Sequence, residues 1–530
     1  QARRFASYTF DAFTKQMLDR FRMAVPAPYM PPANYRIVFP VKGDYQDFFR
    51  SAGRPNIDHK RFEAAIANVS LPIDDQDIKE AARLFLRAYW EHQYENFAEV
   101  LLTFPMINRL VKYILEVNPE INQALRLSYG AVFLDEFQDT TSAQFSLIRT
   151  CFEGAETRLT AVGDDKQKIM GWAGAMDRSF DVFTETFNAR RISLLSNWRS
   201  HEELVRVQHV IAAKIDPNVE LAIARANRRV DGEVVAIWDF KEREAEVRQI
   251  ARWIRTEVDA GRVAPQDVAI LIRMKANDVE TELGPALEAE GLILRNLDRR
   301  VGEIAIQDLL TEELFETLFP LLRLAASGRN PEAWTDSQAR LRILLGLSDE
   351  DDAALGRLQR ESGVFVRELR AYMDEHPPAA ATAMEVLNRA LSYVGRERLV
   401  GAFANYQRPA DFERVYQGFL ILLTECTAGQ AQWSDVLDRL EGLGQVPLMT
   451  IHKSKGLEFH TMIFFGLDNR TWWSLNNDGG EEMNSLFVAL TRARQRAYFS
   501  FCLERGRAFE WLDELLAPVG VQHIDGDLIA

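Results

Sequence analysis

The sequence predicts an α/β fold built on parallel sheets, and three observations carry that reading. The run Gly130-Ala131-Val132-Phe133-Leu134 is apolar and partly β-branched, as a buried parallel strand is, and Asp135-Glu136-Phe137-Gln138-Asp139 follows at once. Leu159-Thr160-Ala161-Val162 repeats the design and runs into Gly163-Asp164-Asp165-Lys166-Gln167. The spacing between them leaves room for one crossover helix, so the two strands are expected to be parallel neighbours. Residues 233–238 and 268–273 read as a further pair of buried strands. The intervening 242–260 reads as an amphipathic helix, which makes a βαβ unit.

In such a sheet, ligands bind at the C-terminal ends of the strands. An Asp-Glu pair delivered there suits a nucleotide: one carboxylate holds Mg²⁺ and the other orients the attacking water. The plainer alternative is a helix N-terminus carrying solvated acids. Gln167 lies where it can reach a phosphate bound over Asp135. Trp172, between Gly171 and Gly174, could present an open ring face on which a base stacks, although a lone Trp is more often a core or interface aromatic.

Further along the chain come Leu195-Ser196-Asn197-Trp198-Arg199-Ser200, Thr450-Ile451-His452-Lys453-Ser454-Lys455-Gly456-Leu457-Glu458-Phe459 and Phe487-Val488-Ala489-Leu490-Thr491-Arg492-Ala493. With the two acidic segments, these resemble motifs II to VI of the UvrD/Rep family of superfamily 1 helicases, in family order. Tyr8-Thr9-Phe10-Asp11-Ala12-Phe13 resembles the element after motif Ia, with Asp11 where a His is usual. Asn96-Phe97-Ala98-Glu99 resembles the segment before motif II.

The resemblance implies two RecA-like P-loop NTPase lobes with parallel sheets, each carrying a mainly helical inserted subdomain. The first lobe would comprise residues 1–21 and 95–186, with an insert at 22–94. The second would comprise 187–310 and 445–530, with a helical insert at 311–444. Periodicity agrees in part: 78–94 reads as a helix, and strand signals vanish from about 310 to 440.

The resemblance also implies a site shared by the lobes. Asp135 would take part in Mg²⁺ coordination, Glu136 would position the water, and Gln167 would sense the γ-phosphate of ATP. Arg199 and Arg492 would act as arginine fingers; a guanidinium fork in that place is worth on the order of 10³-fold in rate or more. Trp198 would lie near the adenine and Glu458 on the ribose, while Trp172, Thr450 and His452 would contact DNA. Met170 and Ala173 replace a usual Tyr and Arg beside the DNA path, which implies a weaker grip on the strand or weaker coupling to hydrolysis.

One expected part is missing. No Gly-x-x-x-x-Gly-Lys-Ser/Thr run occurs, and the chain opens with Gln1, directly into the element after motif Ia. The expectation is that the native protein carries an upstream phosphate-loop strand, which in this fold lies beside the Asp135 strand. Without it, an edge of Val132, Phe133 and Leu134 would be bare. The rival expectation is a degenerate, non-hydrolysing subunit.

Composition sets wider bounds. Of 530 residues 47% are hydrophobic and 27% charged, ordinary for a globular chain of several domains. No segment reads as a transmembrane span or signal peptide, so no membrane partner is expected. Three cysteines without metal spacing suit a reducing cytoplasm. A net charge of −15 does not exclude nucleic acid, because binding depends on a local basic groove.

The function expected is an ATP-dependent translocase or helicase, moving 3′ to 5′ on single-stranded or partly duplex DNA. The alternative is a nucleotide-sensing DNA-binding subunit with little unwinding of its own, governing a partner nuclease in DNA repair or antiphage defence. RecB-type and Gabija-type complexes provide that pattern. The chain shows no nuclease domain, so cleavage would come from another subunit.

Overall fold

The computed structural model describes residues 6–76, 78–95, 99–169, 171, 174–226, 230–347, 351–406, 409–477 and 479–529. It divides into two compact units, residues 1–192 and 193–530.

The first unit is mainly helical. Its central helix, Phe104–Val117, starts where Thr103 Oγ1 accepts from the Met106 amide (3.3 Å) and Pro105 occupies the first turn. From Met106 to Leu115 every residue but the half-buried Lys112 is buried, so this helix is enclosed nearly all round. The helix Glu80–Glu95 occupies the place expected of residues 78–94. The strands are short: β1 (Arg36–Ile37) pairs in parallel with β2 (Leu101–Leu102). β3 (Ala131–Leu134) pairs in parallel with β4 (Arg158–Ala161), and the crossover helix Ser142–Phe152 joins them, as the spacing predicts. Thr141 and Gln144 form a reciprocal capping box at the start of that helix.

The expected burial of β3 is not found. Its side chains alternate between exposed and half-buried, and Phe133 is 67% exposed. The physical reason is the sheet itself: β3 and β4 form a sheet of two strands among the described residues, and nothing described covers the face that carries Phe133.

In the second unit, β5 (Ser196–Asn197) pairs with β6 (Ile223–Ala224), and a seven-stranded parallel sheet follows. Its strands in chain order are β7 (Val235–Phe240), β8 (Val268–Ile272), β9 (Ile293–Asn296), then, after the small hairpin of β10 (Arg300–Val301) and β11 (Ile304–Ala305), β12 (Gln445–Thr450), β13 (Phe459–Phe464), β14 (Ala493–Cys502) and β15 (Gln522–Asp525). The spatial order is β15-β7-β14-β13-β8-β12-β9. β8 is buried throughout. Ala269 and Leu271 point into one core, and Val268, Ile270 and Ile272 into the other, so the sheet is covered on both faces.

β7 and β8 are parallel strands of one sheet linked by the helix Arg243–Asp259, as expected. They are not neighbours, however, because β14 and β13 lie between them. Between β11 and β12 the described residues are helical, from Ile306–Leu310 to Trp433–Glu441, and this block shares the core that contains Leu271.

Candidate functional site

In the first unit the candidate residues begin where β3 ends. Asp135 and Glu136 are exposed, and Asp135 Oδ1 accepts from the Glu136 amide at 3.0 Å. Glu136 has a left-handed backbone (φ 48°), a conformation that a residue with a Cβ adopts at a cost of roughly 1 kcal/mol or more. The next two residues hold it there. Phe137 is fully buried among Phe145, Phe180 and Phe183, and its amide donates to Val162 O at 2.9 Å.

Gln138, also fully buried, donates from Nε2 to Glu136 Oε2, and its Oε1 accepts from the Asp164 amide at 3.1 Å. Gly163 permits this approach: a Cβ there would lie 2.0 Å from Gln138 Oε1. Asp164 in turn accepts from the Lys166 amide and from Gln167 Nε2, both at 3.1 Å, at the start of the turn Asp165–Gln167. Asp135, Glu136 and Gln167 thus belong to one hydrogen-bonded set, brought together by Gln138 and Asp164. Neither of these two stands out in the sequence as a site residue. The signal that could have found them was an amide set among acids directly after an apolar strand.

The second unit gathers three distant segments. Asn197 Oδ1 accepts from the amides of Arg199 and Ser200, both at 2.9 Å. Ser200 is buried and donates to Ala493 O (2.8 Å), and Gln208 Nε2 donates to Ser200 Oγ and Leu490 O (3.2 Å each). From this fixed backbone the Arg199 side chain reaches Glu458 Oε1 with both Nε and Nη2 at 2.6 Å, and Thr491 O with Nη1 at 3.2 Å. Trp198, beside it, is 72% exposed. Arg492 is placed differently: it is 7% exposed, and its Nε donates to Val488 O at 3.2 Å.

At the C-terminal end of β12 the Thr450 amide donates to Asp298 Oδ2 (2.8 Å), and its hydroxyl lies 3.4 Å from Asp298 Oδ1. His452 is exposed, and Lys453 pairs with Asp308 at 2.7 Å. Asp298 comes from a loop some 150 residues earlier, which the sequence did not connect with Thr450. Trp172, Met170 and Ala173 lie outside the described residues.

The donor set at β3 fits Mg²⁺. Asp135 offers an exposed hard oxygen ligand, and Mg²⁺ is ordinarily held by one or two carboxylates, with water and substrate phosphates completing its shell. Carboxylates on a tethered strand end, with an amide positioned beside them, are parts that phosphoryl-transfer chemistry uses.

Comparison with known proteins gives the class its name. Residues 44–188 match the UvrD/REP helicase N-terminal domain, and residues 192–344 and 397–504 match the UvrD-like helicase C-terminal domain. The chain belongs to the UvrD/Rep family of superfamily 1 helicases, whose members are ATP-hydrolysing enzymes. It is 24% identical to the ATP-dependent DNA helicase Rep of Escherichia coli, over 81% of this chain and 68% of that protein. It is likewise 24% identical to the ATP-dependent DNA helicase UvrD1 of Mycobacterium leprae, over 86% of this chain and 65% of the relative. A probable DNA helicase II homolog of Mycoplasma capricolum is 26% identical, over 76% and 59%. The chain thus spans about two thirds or less of the length of these relatives.

Proposed function

We propose that this chain is an ATP-driven translocase and helicase that moves 3′ to 5′ on single-stranded or partly duplex DNA. The observation that carries the reading is Glu136, exposed at the end of β3, held in a left-handed backbone and tethered through Gln138 to the loop of Asp164 and Gln167. That arrangement fits a carboxylate that orients water against a terminal phosphate, with Gln167 sensing the same phosphate.

Asp135 would hold Mg²⁺, which when bound neutralises charge on the triphosphate. Arg199 and Arg492 would stabilise the charge that spreads over the equatorial oxygens in phosphoryl transfer. Trp198 has an open ring face for an adenine, and Glu458 a carboxylate for ribose hydroxyls. Thr450, His452 and Trp172 would contact the DNA strand. Residues 22–94 and 311–444 would be the inserts of the two lobes. The three cysteines are buried thiols, in keeping with a reducing cytoplasm, and among the described residues no helix is long and apolar enough to cross a membrane.

The test is ATP hydrolysis by the native-length protein, with and without single-stranded DNA, in wild type and in Glu136→Gln. The expected result is DNA-stimulated turnover that falls by about 100-fold or more in the variant, together with loss of unwinding, while ATP and DNA still bind. A subunit that senses nucleotide and governs a partner nuclease would bind both ligands and be indifferent to the substitution.

A further inference from the structure

In the second unit the carboxylate that would hold the ribose is already engaged, and its partner is the arginine that would reach the phosphate. Nε and Nη2 form one of the guanidinium edges suited to bidentate oxyanion binding, and both donate to Glu458 Oε1 at 2.6 Å. While that edge stays on Glu458 it cannot clamp a phosphate.

The backbone around Arg199 is fixed by Asn197, Ser200 and Gln208, so any rearrangement belongs to the side chain. That side chain is able to exchange: the Arg199 and Glu458 side chains are 35% and 42% exposed. An ion pair this accessible holds its partners weakly. A triphosphate carries more negative charge than one carboxylate, and it competes best once Glu458 has another donor to accept from.

We propose that Glu458 is a positioning residue that exchanges partners: it holds Arg199 back in the absence of nucleotide, and releases it when ribose hydroxyls take over the carboxylate. The exchange rests on the ATPase reading above and adds to it a gate that makes the finger responsive to the sugar. Mere ribose contact would lower affinity for a nucleotide lacking the hydroxyls and leave its turnover rate unchanged. Exchange lowers the turnover rate itself, because Arg199 remains on Glu458.

The test is steady-state hydrolysis of ATP and of 2′,3′-dideoxy-ATP by the full-length wild type and Glu458→Gln. In wild type, kcat for the dideoxy nucleotide is expected to be roughly three- to fivefold below that for ATP, the range an exposed ion pair can impose. In Glu458→Gln the two kcat values are expected to converge. A dideoxy effect confined to KM, or a kcat ratio that survives the substitution, overturns the exchange and leaves the ATPase reading intact. Absence of any ATP turnover by the wild type overturns both.

Discussion

At the scale of single residues, Gln138 links two loops of the candidate site from a fully buried position. Its amide is buried and divides its bonds between two loops, with Nε2 fixing the Glu136 carboxylate and Oε1 fixing the Asp164 amide. Gln138→Ala would leave the Asp164 amide without that acceptor and let Glu136 turn away from the strand axis. The lost buried hydrogen bonds should cost about 1–3 kcal/mol of stability, read by urea unfolding. On the role proposed for Glu136, its misplacement should lower ATPase turnover by about tenfold to 100-fold. Gln138→Glu would test the chemistry apart from the volume. It keeps the acceptor for Asp164 but sets a second carboxylate against Glu136, so activity should fall further than stability.

Among the elements, the seven-stranded sheet is tied to a helix through buried charge. The seven-stranded sheet is braced by a charge cluster: Glu246, fully buried on the helix Arg243–Asp259, accepts from Arg505 at 2.7 Å and from Ser500 on β14. Arg505→Met would strand that carboxylate in the interior, at a cost of about 3–5 kcal/mol. Burial already pushes the Glu246 carboxyl above its ordinary value, against the pull of Arg505. Without Arg505 the folded-state value rises further. The stability that protonation provides is then full below the unfolded carboxyl value and is lost as pH rises through the folded one. The deficit of the variant should therefore grow from acid to neutral pH in urea titrations, and Glu246→Gln added to it should flatten that dependence.

The same elements show which parts of the fold were legible in the sequence. β3, β4 and their crossover helix were readable because apolar runs, acids and spacing all lie within some thirty residues. The burial of β3 was misread, since an apolar run records a strand's composition and not what lies against its face. The separation of β7 from β8 was hidden for a related reason: the strands between them, β13 and β14, arise about 200 residues later in the chain. Gln138 and Asp298 escaped notice because their partners are fixed only by folding.

For the molecule as a whole, the proposed function has to overcome a net charge of −15. Long-range electrostatics alone would repel a polyanion, so any attraction must come from basic side chains close to the strand. These two contributions depend on salt in opposite directions. Local phosphate contacts release counterions, and affinity for single-stranded DNA then falls with a log–log slope of about −0.7 per phosphate neutralised. The general repulsion is screened over roughly 10 Å at 0.1 M salt and grows as salt is lowered.

Affinity for an oligothymidylate, measured by fluorescence anisotropy across a salt series, should therefore fall steeply above about 0.1 M and level off below it. Stacking and phosphate contacts tolerate any base, so thymidine and adenosine oligomers of one length should differ only modestly. A binding isotherm indifferent to salt would remove the electrostatic basis of the DNA reading. A strong preference for one base sequence would replace a translocating grip with site recognition, which a motor advancing along arbitrary DNA cannot use.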